Sequence, residues 1–316
     1  MINKILSNIF MGPFIDSQIM GGAEFKKVTI PLETLDWLHT IHFSLPDKSL
    51  NYYGLGSDTN EKLAYVKAVV EFYERKAFYD VGIKCSFTST NGIAGHRFYN
   101  LAHKAAIAEL YERDAFLCHW YSQTPFLKIE NTNTEVQNVV TELSSIKIKT
   151  LFRSTYLGFQ KIVLCFLVNR QTGGFALGLS NGKPNTAKAF SEALINYFLG
   201  HQGKTPDELQ AELSKEGLIS LQNHRTYWMH ENPIPEWVLK ISTKECSIEQ
   251  KKVEPEIINT FEYKTGPIRI SGVQLSEIFT LKLGFPTKED MELLRRRLGC
   301  DISIPNNTLN VPHPIP

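Results

Sequence analysis

Paired cysteines are absent from this sequence. Its 316 residues include five cysteines, an odd number, and no two of them form a C-x-x-C pair. They are Cys85, Cys118, Cys165, Cys246 and Cys300. Their wide spacing argues against a disulfide framework and against a structural zinc site, and it predicts a protein of a reducing compartment.

Long apolar segments are absent as well. The longest uninterrupted apolar run, Ile162–Val168, is far shorter than the ~20 residues that span a bilayer. Polar side chains interrupt the first eight residues too early for the core of a signal peptide. The sequence therefore predicts no membrane partner and a cytoplasmic location.

The chain has no excess charge of either sign. It carries 34 Lys and Arg against 33 Asp and Glu, a net charge of +1, so no positive field attracts nucleic acid. The phosphate-binding motif G-x-x-x-x-G-K-[ST] does not occur, which excludes a P-loop ATPase. Hydrophobic content of 42% and charged content of 21% are typical of a folded protein.

Apolar periodicity and turn residues predict a mixture of strands and helices. Residues 1–50 have the composition of strands and turns, and alternation predicts a strand over Val81–Thr90 and a buried strand over Lys161–Asn169. A further strand is predicted over Gly173–Gly182. Helices are predicted over Glu61–Tyr79, Tyr99–Trp120, Thr186–Leu199 and Lys288–Leu298. The order of elements predicts an α+β or mixed α/β fold with helices packed on mixed β-sheets.

Two of the predicted helices repeat each other. The pattern Ala68-x-x-Glu71-x-Tyr73-Glu74-Arg75-x-Ala77-Phe78 recurs 38 residues later as Ala106-x-x-Glu109-x-Tyr111-Glu112-Arg113-x-Ala115-Phe116. On a helix, the two glutamates and the arginine of each copy share one face.

This repeat has two interpretations. Solvated Glu–Arg pairs on a helix surface would each contribute only ~0.2–0.5 kcal/mol. However, apolar residues flank the acidic face, and four carboxylates repel one another unless cations neutralise them. Mg²⁺ prefers such oxygen ligands together with substrate phosphates, and arginines suit phosphate oxygens. The repeat therefore favours a Mg²⁺–nucleotide site without a P-loop.

Further motifs resemble a known family. Residues 89–96, with the sequence STNGIAGH, precede the second copy of the repeat, and Arg113-Asp114-Ala115-Phe116 closes it. From about Gly54 to Trp120 the chain resembles the YcaO superfamily. The ending Pro312-His313-Pro314-Ile315-Pro316 resembles the P-x-P-x-P tail of the azoline-forming cyclodehydratases within that superfamily.

The resemblance implies one YcaO-type domain over residues 1–316 and an ATP-dependent reaction. Residues 1–50 are N-terminal strands, 54–202 the nucleotide-binding core, 203–265 a peripheral segment and 266–316 a C-terminal part with the proline tail. In the implied reaction, a Cys, Ser or Thr of a ribosomally made precursor peptide attacks the preceding backbone carbonyl. Phosphorylation of the resulting oxygen by ATP and loss of phosphate give a thiazoline or oxazoline.

The resemblance also implies roles for residues. Mg²⁺ is assigned to Glu71, Glu74, Glu109 and Glu112. ATP is assigned to these four and to Arg75, Asn91, Arg97, Arg113 and Glu192, the last through the run Ala189-x-x-Glu192-Ala193. The carboxylate of Pro316 is implied as a catalytic base, and His96 as a second catalytic residue. His96 and Arg97 stand where many members carry other residues.

Partners follow from the same resemblance. The substrate is a precursor peptide, a separate leader-binding protein of the ubiquitin-activating-enzyme type is expected, and a flavin dehydrogenase could share the complex. Two alternatives to azoline formation remain. One is another reaction of the family, thioamide or macroamidine formation, and the other is a non-catalytic scaffold subunit of a peptide-modifying complex.

A basic triplet near the end of the chain, Arg295-Arg296-Arg297, also has two interpretations. It is either a solvated helix face or a docking surface for a partner or an acidic leader peptide.

Overall fold

The computed structural model describes the chain in two compact units. The described residues are 23–45, 53–131, 133–157, 160–181, 186–199, 211, 227–231, 233–241, 247–248, 255–280, 286–298 and 314. The first unit comprises residues 1–31, 35–110 and 256–276, and the second comprises 32–34, 111–255 and 277–316. Each is a mixture of helices and antiparallel sheet, which confirms the predicted fold class.

The first unit contains two three-stranded antiparallel sheets. One sheet has the order β1–β2–β3, with β1 over Glu24–Lys27, β2 over His39–Ser44 and β3 over Gly54–Asp58. The other has the order β10–β11–β4, with β4 over Ile93–His96, β10 over Ile257–Thr265 and β11 over Ile268–Leu275. Strands β3 and β4 lie at sheet edges, so each has a row of backbone groups available to other partners.

Helix α1, over Glu61–Ala77, packs on β2 and β3. It begins at the N-cap Asn60, whose Oδ1 accepts hydrogen bonds from the backbone N–H groups of Lys62 and Leu63 at 2.9 and 3.3 Å. Its buried side, which includes Ala68 and Phe72, forms a core with β2 residues such as Phe43. Packing of this face holds the opposite, glutamate-bearing face in a fixed orientation.

The chain after α1 differs from its predicted structure. Alternation predicts a strand over Val81–Thr90, but a π-helical turn over Phe78–Gly82 and a 3₁₀ turn over Ile83–Cys85 continue the helix. Ser86 then reverses the chain with φ of 62°. The strand prediction is wrong because local helical hydrogen bonds, such as that from the Phe87 N–H to the Gly82 carbonyl at 2.9 Å, satisfy the backbone here.

Helix α2, over Tyr99–Ser122, matches the predicted second helix, and the division between the two units falls within it. Its last residues in the second unit include Phe116, Trp120 and Tyr121. These are buried core aromatics, together with Phe126.

The second unit is built on a five-stranded sheet. Strands β5 over Leu127–Lys128, β6 over Ile148–Leu157, β7 over Gln160–Asn169 and β8 over Phe175–Asn181 pair in that order and antiparallel. Strand β9, over Ser247–Ile248, pairs in parallel with the end of β6. Both predicted strands of this region are present, as β7 and β8.

Helices cover this sheet on one face, and an aromatic core covers the other. Helix α3 over Thr134–Ser145 packs on β6, and α4 over Thr186–Leu199 packs on β7 and β8. The opposite face carries Leu164, Phe166 and Leu179, which pack with Trp120 and Trp228. The described part of this unit also contains a π-helical turn over Tyr227–Glu231 and the helices α5 over Glu236–Leu239 and α6 over Lys288–Leu298.

Two parts of the second unit differ from expectation. Trp228 and Val238 lie within the segment 203–265 predicted to be peripheral, yet both are buried in the aromatic core. Of the arginine triplet on α6, Arg295 and Arg296 are exposed, but Arg297 is 2% exposed and pairs with Asp114. For Arg297 both sequence interpretations are therefore wrong, because its charge is neutralised inside the unit.

Candidate active site

Helix α1 presents Glu71 and Glu74 to the edges of two sheets. Glu71 accepts a hydrogen bond from the Leu55 N–H on β3 at 2.9 Å and pairs with Arg75 at 2.5 Å. Glu74 accepts a hydrogen bond from the Gly95 N–H on β4 at 2.5 Å. The i, i+3, i+4 spacing predicted from sequence is thus a single face, and each carboxylate on it is oriented by an edge-strand amide.

Glu109 on α2 uses the same kind of partner. It accepts a hydrogen bond from the N–H of Gly92, immediately before β4, at 3.3 Å. Gly92 has φ of +78°, and a Cβ there would lie 2.5 Å from the Val273 carbonyl oxygen. Only glycine fits this position, so the Asn91-Gly92 turn is fixed next to the carboxylate.

Burial raises the pKa of both glutamates of this face of α1, Glu71 and Glu74. Burial raises the pKa of Glu74 to about 8; the hydrogen bond from Gly95 opposes this rise, and the charges of Glu71 and Glu109 contribute to it. Burial also raises the pKa of Glu71, although Arg75 opposes this. Without a cation Glu74 is therefore largely protonated at neutral pH, and a divalent cation would favour its ionised form.

The side chain of Asn91 is a buried polar group that makes no hydrogen bond with the described residues. It is 7% exposed, and neither Oδ1 nor Nδ2 has a hydrogen-bond partner among the described residues. Leaving a buried amide unsatisfied costs about 1–3 kcal/mol. Such a cost is typical of a group that waits for a ligand, which agrees with the predicted role of Asn91.

In the second unit, Glu112 is the buried carboxylate of the repeat. It is 5% exposed, its Oε1 lies 3.8 Å from Arg113 Nη1, and its Oε2 has no hydrogen-bond partner among the described residues. An unsatisfied buried carboxylate oxygen fits a metal ion or a protonated ligand better than it fits a structural role.

Glu192 on α4 lies within the electrostatic reach of the same two residues. Its carboxylate accepts a hydrogen bond from the Leu179 N–H on the edge strand β8 at 3.1 Å. Burial raises the pKa of Glu192; Arg113 opposes this rise and Glu112 adds to it. The structure therefore brings Glu112, Arg113 and Glu192 together, as three of the predicted ATP-binding residues.

His96 and Arg97 have different surroundings. Both are exposed; the His96 Nδ1 accepts a hydrogen bond from the Phe98 N–H at 3.2 Å, and the Arg97 guanidinium lies 5.4 Å from the centre of the Phe98 ring. Arg97 lines a cavity of about 550 Å³ with Arg269. None of the described contacts of these two residues joins them to the carboxylates.

The proline tail falls almost entirely outside the described residues. Pro316, the predicted catalytic carboxylate, lies outside them, and Pro314 is described and buried.

Sequence reasoning missed the partners of the carboxylates. The backbone N–H groups of Leu55, Gly95 and Leu179 orient three of the glutamates. Backbone donors have no signal in the residue pattern, although the presence of edge strands beside the glutamate helices could have suggested them.

Comparison with known proteins identifies the family. A family model described as YcaO cyclodehydratase, ATP- and Mg²⁺-binding, matches residues 59–237, more than half of the chain. The chain belongs to the YcaO family. ATP and Mg²⁺ are therefore its cofactors, and all five glutamates discussed above lie within the matched residues.

Solved structures share the fold at low sequence identity. YcaO from Methanopyrus kandleri bound with AMPPCP and Mg²⁺ has a TM-score of 0.55 and 12% identity over 92% of each chain. A heterocyclase in complex with substrate and cofactor has a TM-score of 0.58 and 9% identity over 89% of this chain. The Escherichia coli microcin synthetase McbBCD complex with pro-MccB17 bound has a TM-score of 0.51 and 11% identity, covering 87% of this chain and 95% of that chain.

These matches establish the YcaO-type fold. The chain spans about half the length of the heterocyclase, 52% of that chain. A search of curated proteins finds no significant match.

The site residues fit a metal bound jointly with a nucleotide. Among the described residues, no group of three or more His, Cys, Asp and Glu side chains forms a complete metal site by itself. Mg²⁺ is usually held by one or two carboxylates together with phosphates and waters. In the first unit the Glu74 carboxyl suits such a role, and in the second unit the Glu112 oxygen that has no partner among the described residues does so. The part of the chain that the structure describes contains no helix of the length and apolarity needed to cross a bilayer.

Proposed function

We propose that this YcaO protein is an ATP-dependent cyclodehydratase that converts Cys, Ser or Thr of a ribosomally made peptide into thiazoline or oxazoline. The observation that supports the proposal is that each unit has a buried polar side chain without a hydrogen-bond partner among the described residues, Asn91 in the first unit and Glu112 Oε2 in the second. A protein that needed these residues only for folding would supply them with hydrogen-bond partners.

The residues divide into two proposed roles. Glu71, Glu74, Glu109 and Glu112 hold Mg²⁺, which neutralises phosphate charge. The nucleotide is bound and oriented by Arg75, Asn91, Arg113 and Glu192. The guanidinium groups of the arginines and the amide of Asn91 donate to phosphate oxygens and to ribose or base atoms. Arg97 stays a predicted ATP contact and His96 a predicted catalytic residue.

Arg75 is prepared for this role by its neighbours. Its guanidinium is held by Glu71 at 2.5 Å and lies 4.7 Å from the centre of the Tyr53 ring. A cation held between a carboxylate and an aromatic face loses little side-chain entropy when a phosphate arrives.

The substrate and partners belong to the same proposal. A heterocyclase with its substrate and the microcin synthetase complex with pro-MccB17 share the fold, which supports a peptide substrate and a multi-protein assembly. We infer a leader-binding partner of the ubiquitin-activating-enzyme type and, where azolines become azoles, a flavin dehydrogenase. Cytoplasmic location is part of this proposal.

Mass spectrometry of a candidate precursor peptide tests the reaction. The full chain, a leader-binding partner and a Cys-, Ser- and Thr-rich precursor from the same gene cluster are incubated with ATP and Mg²⁺. We expect loss of one water per ring, blocked thiol alkylation at the modified Cys, and release of phosphate in step with ring formation. Glu74→Gln is the inactive control, and Glu61→Gln, a change of an exposed glutamate on the same helix, is the matched active control.

Other products identify the alternatives. When a sulfide source is added to the mixture, replacement of a backbone oxygen by sulfur indicates a thioamide. Loss of water with an intact Cys thiol and a blocked amine indicates a macroamidine. ATP binding without turnover in the complete mixture indicates a scaffold. In the same assay, two residues added after Pro316 should abolish ring formation if the tail carboxylate is the base; full activity of that variant would remove the tail from the mechanism.

A further inference from the structure

Among the described residues of the second unit, two arginines are buried, and only one of them has a carboxylate partner. Arg297 is 2% exposed and pairs with the buried carboxylate of Asp114. Arg153 on β6 is 5% exposed, and its guanidinium has a single described hydrogen bond, from Nη1 to the carbonyl of Phe152 at 3.0 Å. Its Nε has no partner, and no carboxylate pairs with it among the described residues.

The neighbours of Arg153 add positive charge and a free hydroxyl. Lys128 on β5 lies directly opposite Arg153 in the antiparallel register, so both side chains leave the sheet on the same face. Thr155, two residues further along β6, projects from this face too. It is buried, and its Oγ1 has no hydrogen-bond partner among the described residues.

This arrangement is unfavourable for the protein alone. Burial lowers the pKa of Arg153 because the charged form loses water. On its other side Arg153 is in register with Leu164, which is part of the aromatic core and offers no counter-charge. Two cations directly across a strand pair repel each other, and a buried charge without a partner destabilises the folded state.

A methionine would fill the position of Arg153 without any of these costs. We propose that Arg153, Thr155 and Lys128 form an oxyanion subsite of the second unit that binds a carboxylate or phosphoryl group of a ligand. Arg153 and Thr155 supply N–H and O–H donors, and Lys128 at the exposed side supplies charge. The subsite lies on the aromatic-core face of the sheet and uses none of the residues assigned to Mg²⁺ or ATP.

Titration of the full chain with inorganic phosphate in the presence of EDTA tests this subsite. EDTA removes any contribution from metal-bound phosphate, so the result does not depend on the proposed cyclodehydratase reaction. We expect phosphate to raise the Tm of the wild type and of Glu74→Gln equally. Arg153→Met should weaken phosphate binding by about tenfold or more, with a metal-free Tm at or above that of the wild type.

Arg170→Met is the matched control, because Arg170 is an exposed arginine just after β7 that bonds to Ser144 Oγ at 3.3 Å. It should retain the phosphate response. Arg153→Lys, which keeps the charge, should retain part of the phosphate response. Parallel titrations use a non-hydrolysable ATP analogue and N-acetyl-aspartate. The probe that binds with the higher affinity shows whether the subsite prefers a phosphoryl group or a carboxylate.

Three results would overturn the proposal. One is a wild type whose Tm responds to none of the three probes, and another is an Arg153→Met protein with unchanged phosphate affinity. The third is a large fall in the metal-free Tm of Arg153→Met, which would indicate that a carboxylate of the chain itself neutralises Arg153.

Discussion

Two buried carboxylates of helix α2, Glu112 and Asp114, lie two residues apart and have opposite surroundings. Asp114 is fully buried, accepts the Phe279 N–H at 2.8 Å and pairs with Arg297. Glu112 is 5% exposed, has an oxygen without a described partner and lies 3.8 Å from its nearest cation. A charge that the fold neutralises serves stability, whereas a charge that the fold leaves unsatisfied is available to a ligand.

Removing Arg297, the cation that pairs with Asp114, gives the largest expected loss of stability. Arg297→Met leaves Asp114 buried without its partner, and breaking a buried pair in this way costs about 3–5 kcal/mol of the free energy of unfolding. Chemical denaturation measures the loss. Arg296→Met is the control, since Arg296 pairs with Glu277 at 3.0 Å on the surface and should cost less than about 1 kcal/mol. Equal losses in the two variants would remove the distinction between the two carboxylates.

Removing the charge of the unsatisfied carboxylate should act on turnover and leave the fold intact. Glu112→Gln fills the same volume but binds Mg²⁺ poorly, so we expect ATP turnover to fall on the order of 100-fold or more. The free energy of unfolding of the metal-free protein should stay the same or rise, because a neutral amide replaces a buried carboxylate with one oxygen that lacks a partner among the described residues. Steady-state ATPase assays and denaturation curves measure both quantities. A stable variant with wild-type turnover contradicts the assignment of Glu112.

A change of pH sharpens the comparison without mutation. The pKa of Glu74 rises from 4.5 to about 8 on folding, so the folded state binds more protons than the unfolded state between these values. The metal-free protein should therefore lose stability as the pH rises from about 5 to 8, on the order of 2 kcal/mol from this group. Glu74→Gln should remove that part of the slope, and Mg²⁺ with nucleotide should oppose the loss. A Glu74→Gln slope equal to that of the wild type would mean that Glu74 ionises normally.

The sequence predicted the helices of the site because their signals are local. The repeat of Glu71, Glu74 and Arg75 at Glu109, Glu112 and Arg113 is visible in one dimension, and helical geometry places each set on one face. The Asn91-Gly92 turn is also local, since its positive φ requires glycine.

The partners of these residues could not be predicted, because they come from distant parts of the chain. Arg297 meets Asp114 across 183 residues, and nothing in the triplet distinguishes it from its exposed neighbours. Arg153 carries no motif and is recognised only by burial. The strand predicted over Val81–Thr90 is wrong because local hydrogen bonds of the π and 3₁₀ turns, which alternation of apolar residues does not reveal, satisfy the backbone there.

The smallest expected effect comes from replacing Asn60, the N-cap of helix α1. This change should lower stability without lowering ATP turnover, although the same helix carries Glu71 and Glu74. Asn60→Ala removes the side-chain oxygen that accepts the N–H groups of Lys62 and Leu63, and it should cost about 1 kcal/mol of unfolding free energy. Because the core face of α1 still holds the helix on its sheet, the glutamates two and more turns away keep their edge-strand partners, and ATP turnover at saturating Mg²⁺ should change less than twofold. Asn60→Asp restores the cap and serves as the control. A large fall in turnover with so small a loss of stability would mean that the position of α1 depends on its first turn, and the carboxylates would then be held less firmly than their backbone hydrogen bonds indicate.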